Sequence, residues 1–252
     1  MNAMQERGHR EPGDPLSTPL AATSSVLLAL PPAARLGSEW RPLLRAAAFA
    51  AGKRMIDVAG ASLLLLVAAP LMLSVAMLVR ARDRGPALIR HRRVGRGGTP
   101  FTCLKFRSMA ITADAILADL LAADAAAREE WSRTRKLRND PRITPLGRFL
   151  RATSIDELPQ LFNVLRGEMS LVGPRPVVQA ELEEHYGPIG TAHYLLVRPG
   201  ITGLWQVSGR SDTTYRERVA LDIAYVRQRS LLADIGILLR TVRVVLSGRG
   251  AC

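Results

Sequence analysis

The sequence predicts a mostly helical α+β protein, held at a membrane and carrying one small β-hairpin. Three observations predict it. Residues 59–79, AGASLLLLVAAPLMLSVAMLV, contain no charged side chain. Residues 87–106 read as strand, glycine-rich turn, strand. Beyond residue 110, apolar residues recur at helical spacing in several stretches.

The first element is a tail. Residues 1–40 are rich in Pro, Ala, Ser and Thr without a sustained period, and no basic n-region precedes the weak apolar centre at Val26–Leu30. Residues 1–50 are therefore expected to be disordered. The second element is the apolar segment. As a helix, residues 59–79 would be about 32 Å long, close to the thickness of a bilayer's hydrocarbon core. A buried helix of a soluble protein usually keeps one polar face, and this one keeps none.

Pro70 sits mid-segment and removes a backbone donor. Basic residues flank both ends: Arg45, Lys53 and Arg54 before, Arg80, Arg82 and Arg84 after. Positive flanks favour the cytoplasmic side. A re-entrant anchor over residues 51–82, broken at Pro70, puts both ends there. The competing topology is a straight span with the tail outside.

Ala87–Val94 and Phe101–Phe106 are the expected strands. The turn between them, GRGGTP, is neither a dinucleotide loop nor a P-loop, because Pro100 holds the third Gly position and no GK[ST] follows. Residues 111–131 predict one Ala-rich helix with Ile116, Leu117, Leu120 and Leu121 on one face. Residues 219–247 predict two amphipathic helices, suited to a membrane interface or to packing on a core. Trp205 and Tyr225 fit either an interface or a core.

Charge narrows the partners. The 252 residues carry 35 Lys+Arg against 22 Asp+Glu, a formal net charge of +13, and nearly all the cations are arginine. Residues 80–107 hold nine basic side chains and one acid, and residues 133–151 hold seven against Asp140. Arginine suits bidentate phosphate contacts. Nucleic acid, an anionic membrane and a phosphorylated substrate all fit this charge. Aromatic residues are only 5%, which leaves few stacking platforms and argues against nucleic acid. Two cysteines without a CxxC exclude a disulfide scaffold and a zinc ribbon, and four scattered histidines without HExxH argue against a zinc enzyme. Cys103, in a strand, is expected to be inert.

Residues 141–176, PRITPLGRFLRATSIDELPQLFNVLRGEMSLVGPRP, carry the chemistry. Ile155, Leu158, Leu161, Phe162 and Leu165 mark a helix face with Asp156 and Glu157 at its start. Two readings of these acids compete. Ser154 with Glu157 fits a capping box, although Pro159 favours a cap nearer Asp156. Alternatively, Asp156 is an anion stabilised at a helix N-terminus that attacks phosphorus. Glu157 beside it could then help hold Mg²⁺. Arg148, Arg151 and Arg175 lie close enough in sequence to clamp phosphate.

SIDELPQLFNVLRGEMSLVGPRP closely resembles the signature of the bacterial sugar transferases, the monotopic phosphoglycosyl transferases. So do KRMIDVAG, RVGRGGTPFTCLKFRSM, NDPRITPLGRFLR, RPGITGLWQVSGR and LDIAYV. The resemblance runs from about Lys53 to the C-terminus.

It implies transfer of a sugar-1-phosphate from a UDP-sugar to undecaprenyl phosphate, with Mg²⁺ as cofactor. Such a reaction starts exopolysaccharide or glycan assembly at the cytoplasmic face of the bacterial inner membrane, among its lipids. Asp156 would attack the sugar-proximal phosphate and release UMP, and Glu157 would complete the dyad and support the metal. Lys105, Arg107, Arg175 and Arg210 match basic family positions and would contact phosphate or nucleotide, beside Arg148 and Arg151 from the local reading. Residues 83–252 would form the cytosolic catalytic domain with interfacial helices, and a homodimer is compatible with the reading. Relatives carry Ser-Pro at the anchor break where this chain has Ala69–Pro70, and many have Gln where His91 stands. The rival reading is a catalytically silent membrane scaffold of the same fold.

Overall fold

The computed structural model describes residues 33–134, 137–209 and 213–247. The chain divides into two compact units, Met1–Ala47 and Ala48–Cys252. Of the first, only the start of a helix is described. All packing below belongs to the second.

Helix α1 runs Ala33–Asp83. This corrects two expectations. Residues 33–50, assigned to a disordered tail, are helical, and the helix continues through Pro70 without interruption. A proline removes one backbone donor and leaves the rest of the ladder available, so the residue alone need not end a helix of lipid-compatible composition. Ser74 Oγ donates to the Pro70 carbonyl at 2.9 Å. The stretch Leu44–Asp83 has a mean hydropathy of 2.5 over its most apolar window and is long and apolar enough to cross a membrane. Only one of its faces is covered by protein. Ala61, Met72, Val75 and Val79 are buried, whereas Leu63, Leu64, Leu66, Val67, Leu73, Met77 and Leu78 are exposed. A core helix would hide the second set.

The base of α1 is fastened by charge. Arg54 donates to the carbonyls of Val164 and Leu165 at 2.6 and 2.8 Å. These close the C-terminus of α5 (Gln160–Arg166), where a cation also meets the negative end of the helix dipole. Lys53 lies 2.9 Å from Asp57 and 3.1 Å from Asp234, and donates to Ser170. Tyr225 donates to Asp234 at 2.9 Å.

The expected hairpin is present. Antiparallel β1 (Leu88–Val94) and β2 (Pro100–Phe106) pair in the register Leu88↔Phe106 to Val94↔Pro100. The turn places Gly97 and Gly98 at φ of 67° and 81°, where a side chain would be strained. Next come α2 (Ala113–Ala123) and α3 (Ala125–Thr134). One helix was expected here. Asp124 breaks it by turning extended, and its Oδ1 accepts from the amides of Ala126 and Ala127 to cap α3.

The rest is mostly helical: α4 (Pro145–Ala152), α5, α6 (Gln179–Glu181), α7 (Gly187–Leu195), α8 (Tyr215–Gln228) and α9 (Leu231–Ser247). Two short strands, β3 (Ser170–Val172) and β4 (Gly200–Thr202), pair in parallel. Their contact requires glycine. A Cβ on Gly200 would stand 2.1 Å from Gly173 N, and one on Gly173 would stand 2.6 Å from Arg198 O.

Three apolar clusters hold the unit together. Leu161, Val164, Met169, Leu171, Tyr225 and Ile237 centre the largest. Phe106 and Leu150 pack under Met72, Val75 and Val79 of α1. Val94, Tyr186, Tyr194 and Val219 form the third. One face of α9 stays uncovered at Leu232, Ile235, Leu239 and Val242.

Candidate active site

Asp156 reaches its position through a reversal of the chain. Thr144 caps α4, its Oγ1 accepting from Gly147 N at 2.9 Å, with Pro145 in the first turn. Gly147 lies against the Ser108 carbonyl, where a Cβ would come within 1.8 Å. After α4, Ser154 takes a left-handed φ of 58°, a conformation costing roughly 1–2 kcal/mol outside glycine. Ile155–Glu157 then form a single 3₁₀ turn ahead of α5.

The capping box does not form: Ser154 makes no side-chain cap bond, and Glu157 lies 2.6 Å from Lys105 Nζ. Lys105 arrives on β2, which α5 holds in place. Asn163 is fully buried; its Oδ1 accepts from Leu104 N at 3.0 Å and its Nδ2 donates to the Thr102 carbonyl at 2.7 Å.

Asp156 is 8% exposed and lines a wide cleft with Glu157, Lys105, Arg151 and Arg175. Its carboxyl is pushed up to about 6. Burial is the main cause, and Glu157 adds to it, against the pull of Lys105 and Arg151. This reverses the expectation of an anion favoured by a helix N-terminus. The first turn of α5 begins beyond Asp156, and desolvation outweighs the cations.

The expected phosphate-binding residues separate. Arg151 donates from Nε to Ser108 Oγ at 2.9 Å and stays within electrostatic reach of Asp156. Arg175 follows β3 and stands over the Trp205 ring at 5.9 Å. Arg107 also lines the cleft, but its guanidinium pairs with Asp83 and donates to the Val79 carbonyl at 3.3 Å, tying the end of β2 to the end of α1. Arg148 is exposed on α4 and does not line the cleft. Arg210 lies outside the described residues.

Several cleft residues escaped the sequence reading. Ser108, in the KFRSM block, holds Arg151. Arg142 grips Asp140 with two bonds of 2.8 and 2.7 Å and packs on Trp131 at 4.9 Å, shaping the loop before α4. Arg218 stands over Trp205 at 4.7 Å, and Asp222 lies nearby on the same helix. Their helical spacing from Tyr215 was legible; their facing the cleft was not. His91 lines the cleft on β1, its pKa lowered first by burial and then by Arg93, Lys105 and Arg151. Cys103 is buried and its thiol raised to about 11, as expected for an inert cysteine.

No group of three or more potential metal ligands occurs among the described residues. The adjacent carboxylates of Asp156 and Glu157 fit a Mg²⁺ shared with substrate phosphates, which needs only one or two protein carboxylates.

Residues 48–248 match the model of the bacterial sugar transferase family, and the chain belongs to that family. It is 52% identical over 199 residues to the undecaprenyl-phosphate galactose phosphotransferase of Salmonella typhimurium, covering 79% of this chain and 41% of that protein. The exopolysaccharide production protein ExoY of Rhizobium meliloti is 49% identical over 199 residues, 79% of this chain and 87% of its own length. The UDP-glucose:undecaprenyl-phosphate glucose-1-phosphate transferase of Caulobacter vibrioides is 44% identical over 203 residues, 77% of this chain and 70% of that one. The chain thus spans about two fifths of the Salmonella protein and most of ExoY.

Proposed function

We propose that the chain transfers a sugar-1-phosphate from a UDP-sugar to undecaprenyl phosphate and so begins an exopolysaccharide or glycan. The observation that carries this is Asp156: a buried carboxylate at the wall of a cleft whose other groups include Lys105, Arg151 and Arg175. The names of the relatives supply the substrate classes, undecaprenyl phosphate in two and UDP-glucose in one.

In the first step an Asp156 carboxylate oxygen attacks the sugar-proximal phosphorus. The bond from that phosphorus to the bridging oxygen breaks, and UMP leaves with the electron pair. This forms an aspartyl phosphosugar. In the second step a phosphate oxygen of the lipid attacks the same phosphorus, and Asp156 returns as a carboxylate. Arg151 would hold phosphate oxygens as charge moves onto the leaving group, and Arg175 would contact the nucleotide. Lys105 keeps Glu157 in place beside the nucleophile. Mg²⁺ held by Asp156 and Glu157 would reduce the repulsion between carboxylate and diphosphate.

The uncovered faces of α1 and α9 suit lipid, and the basic residues at both ends of the apolar segment favour a monotopic seat on the cytoplasmic face of the inner membrane. Entry and exit on one face would require α1 to bend near Pro70.

The test is UMP release. Solubilised protein receives UDP-galactose, UDP-glucose and N-acetylated UDP-sugars with Mg²⁺ and undecaprenyl phosphate, beside Asp156→Asn. Release that is lost in the variant and with EDTA supports the reaction. Protein that binds these donors but releases UMP from none would point to the silent scaffold.

A further inference from the structure

One end of the cleft holds a group of side chains that the phosphoryl chemistry leaves without a role. Tyr215, Arg218 and Asp222 follow one another at helical spacing on α8, so they share a face. Trp205, from the turn after β4, meets this face with Arg218 at 4.7 Å from its ring. Arg175, delivered by β3, reaches the same ring at 5.9 Å. The β3–β4 pairing, with its close glycines, brings Arg175 and Trp205 together. His185 closes the far side by packing on Tyr215, ring centroids 3.9 Å apart. Arg175, Trp205, Tyr215, Arg218 and Asp222 all line the cleft that contains Asp156.

Asp222 is the anomaly. It is 3% exposed, and its Oδ2 accepts from Tyr186 OH at 2.8 Å. Its Oδ1 has no hydrogen-bond partner among the described residues. A buried carboxylate oxygen left unpaired is costly. Asp222 lines the cleft, whose charged groups include both arginines and carboxylates. Arg175 is close enough for its charge to act on Asp222, and Arg218 is one helical turn away. Arg175 and Arg218, whose Nε also donates to Thr213 Oγ1 at 3.3 Å, thus line the same cleft as the Asp222 acceptor and the Trp205 and Tyr215 rings.

We propose that this end of the cleft reads the pyrimidine base of the donor nucleotide. Uracil presents an edge of acceptor, donor and acceptor. Its N3–H would donate to Asp222 Oδ1, and its two carbonyls would accept from Arg175 and Arg218. The aromatic rings would confine the base, and its phosphates would then run toward Lys105, Arg151 and Asp156. Cytosine lacks the N3–H and would turn a lone pair toward the carboxylate. The site therefore selects uridine nucleotides. This inference rests on the proposed function for its substrate but concerns binding, so it can fail separately.

The test is calorimetric binding of UMP and CMP to the full chain in nanodiscs at pH 8, above the value of about 7 to which burial raises Asp222. Wild type is expected to prefer UMP by about tenfold or more, since a site built around a hydrogen bond rejects the analogue lacking it. Asp222→Asn keeps an oxygen for Tyr186 and turns an amide donor to the cleft, so the preference should vanish or invert toward CMP. Arg218→Gln, on the partly exposed side of the site, should weaken UMP while the protein melts as wild type does. It decides the matter if Asp222→Asn fails to fold.

Equal binding of UMP and CMP by wild type overturns the proposal. So does unchanged UMP binding in Arg218→Gln. A changed choice between UDP-galactose and UDP-glucose in Asp222→Asn, with UMP preference intact, would give the subsite to the sugar instead and overturn it as well. UMP-selective binding without turnover would sustain this inference while removing the proposed reaction.

Discussion

Lys105 Nζ and Glu157 Oε1 lie 2.6 Å apart, joining the hairpin to the turn that carries Asp156. The pair is partly exposed, with side chains 17% and 25% accessible, so its direct contribution to stability is small. Its consequence is electrostatic. Lys105 pulls the Asp156 carboxyl down while Glu157 pushes it up.

Replacing Lys105 by Met removes the downward pull on Asp156. The acid limb of the pH profile of UMP release should move to higher pH, and the rate at pH 7 should fall. An unmoved acid limb would show that Lys105 does not act on the nucleophile.

The wild-type profile itself has a defined sign. Asp156 attacks only as the carboxylate, and its carboxyl is raised to about 6. Activity should be near its plateau at pH 7.5, halve near pH 6 and fall about tenfold for each further unit. Stopped assays of UMP release across pH 5–8 check this.

Asp156→Asn should reduce turnover by more than about a thousandfold, as removal of a nucleophile does. Stability should move in the opposite direction. A raised carboxyl favours the folded state below the unfolded value near 4, and that advantage is lost as pH rises through about 6. The neutral amide escapes this loss. The variant should therefore melt at or above the wild-type temperature at pH 8, with the gain absent at pH 4.

Lys53→Met should be among the most destabilising single changes at the base of α1. It strips the shared cation from Asp57 and Asp234, which are 1% and 0% exposed. Breaking a buried ion pair in this way typically costs about 3–5 kcal/mol. Thermal melts in nanodiscs would measure it, and a loss below about 1 kcal/mol would contradict the buried network.

Topology turns on Pro70. If α1 bends there to return to the same face, an N-terminal tag is accessible only from the cytoplasmic side. Pro70→Ala should then move the tag across the membrane, as read by protease protection of vesicles. An N-terminus already outside in wild type would establish a straight span.

Much of this was legible residue by residue. The uncharged run of 59–79, the glycines of the β1–β2 turn and the Ser-Ile-Asp-Glu block each carry their meaning locally, through hydropathy, permitted φ or chemical type. Local rules failed where a distant group competed. Ser154 and Glu157 have capping-box spacing, yet Lys105 from β2 takes the carboxylate. Arg107 and Arg151 looked equivalent as basic residues of family blocks, but Asp83 and the α1 carbonyl at Val79 claim the first, while Ser108 turns the second toward Asp156.

The sequence by itself determined the membrane-compatible helix, the hairpin and the acidic pair, because each depends on neighbours within one turn or one strand. Only the tertiary structure decided that burial raises the Asp156 carboxyl, which cations face it, and that Arg175, Trp205, Arg218 and Asp222 line the same cleft. Desolvation and charge act through space, and the elements that meet at this cleft are brought together by Asn163 and by the pairing of β3 with β4 rather than by nearness along the chain.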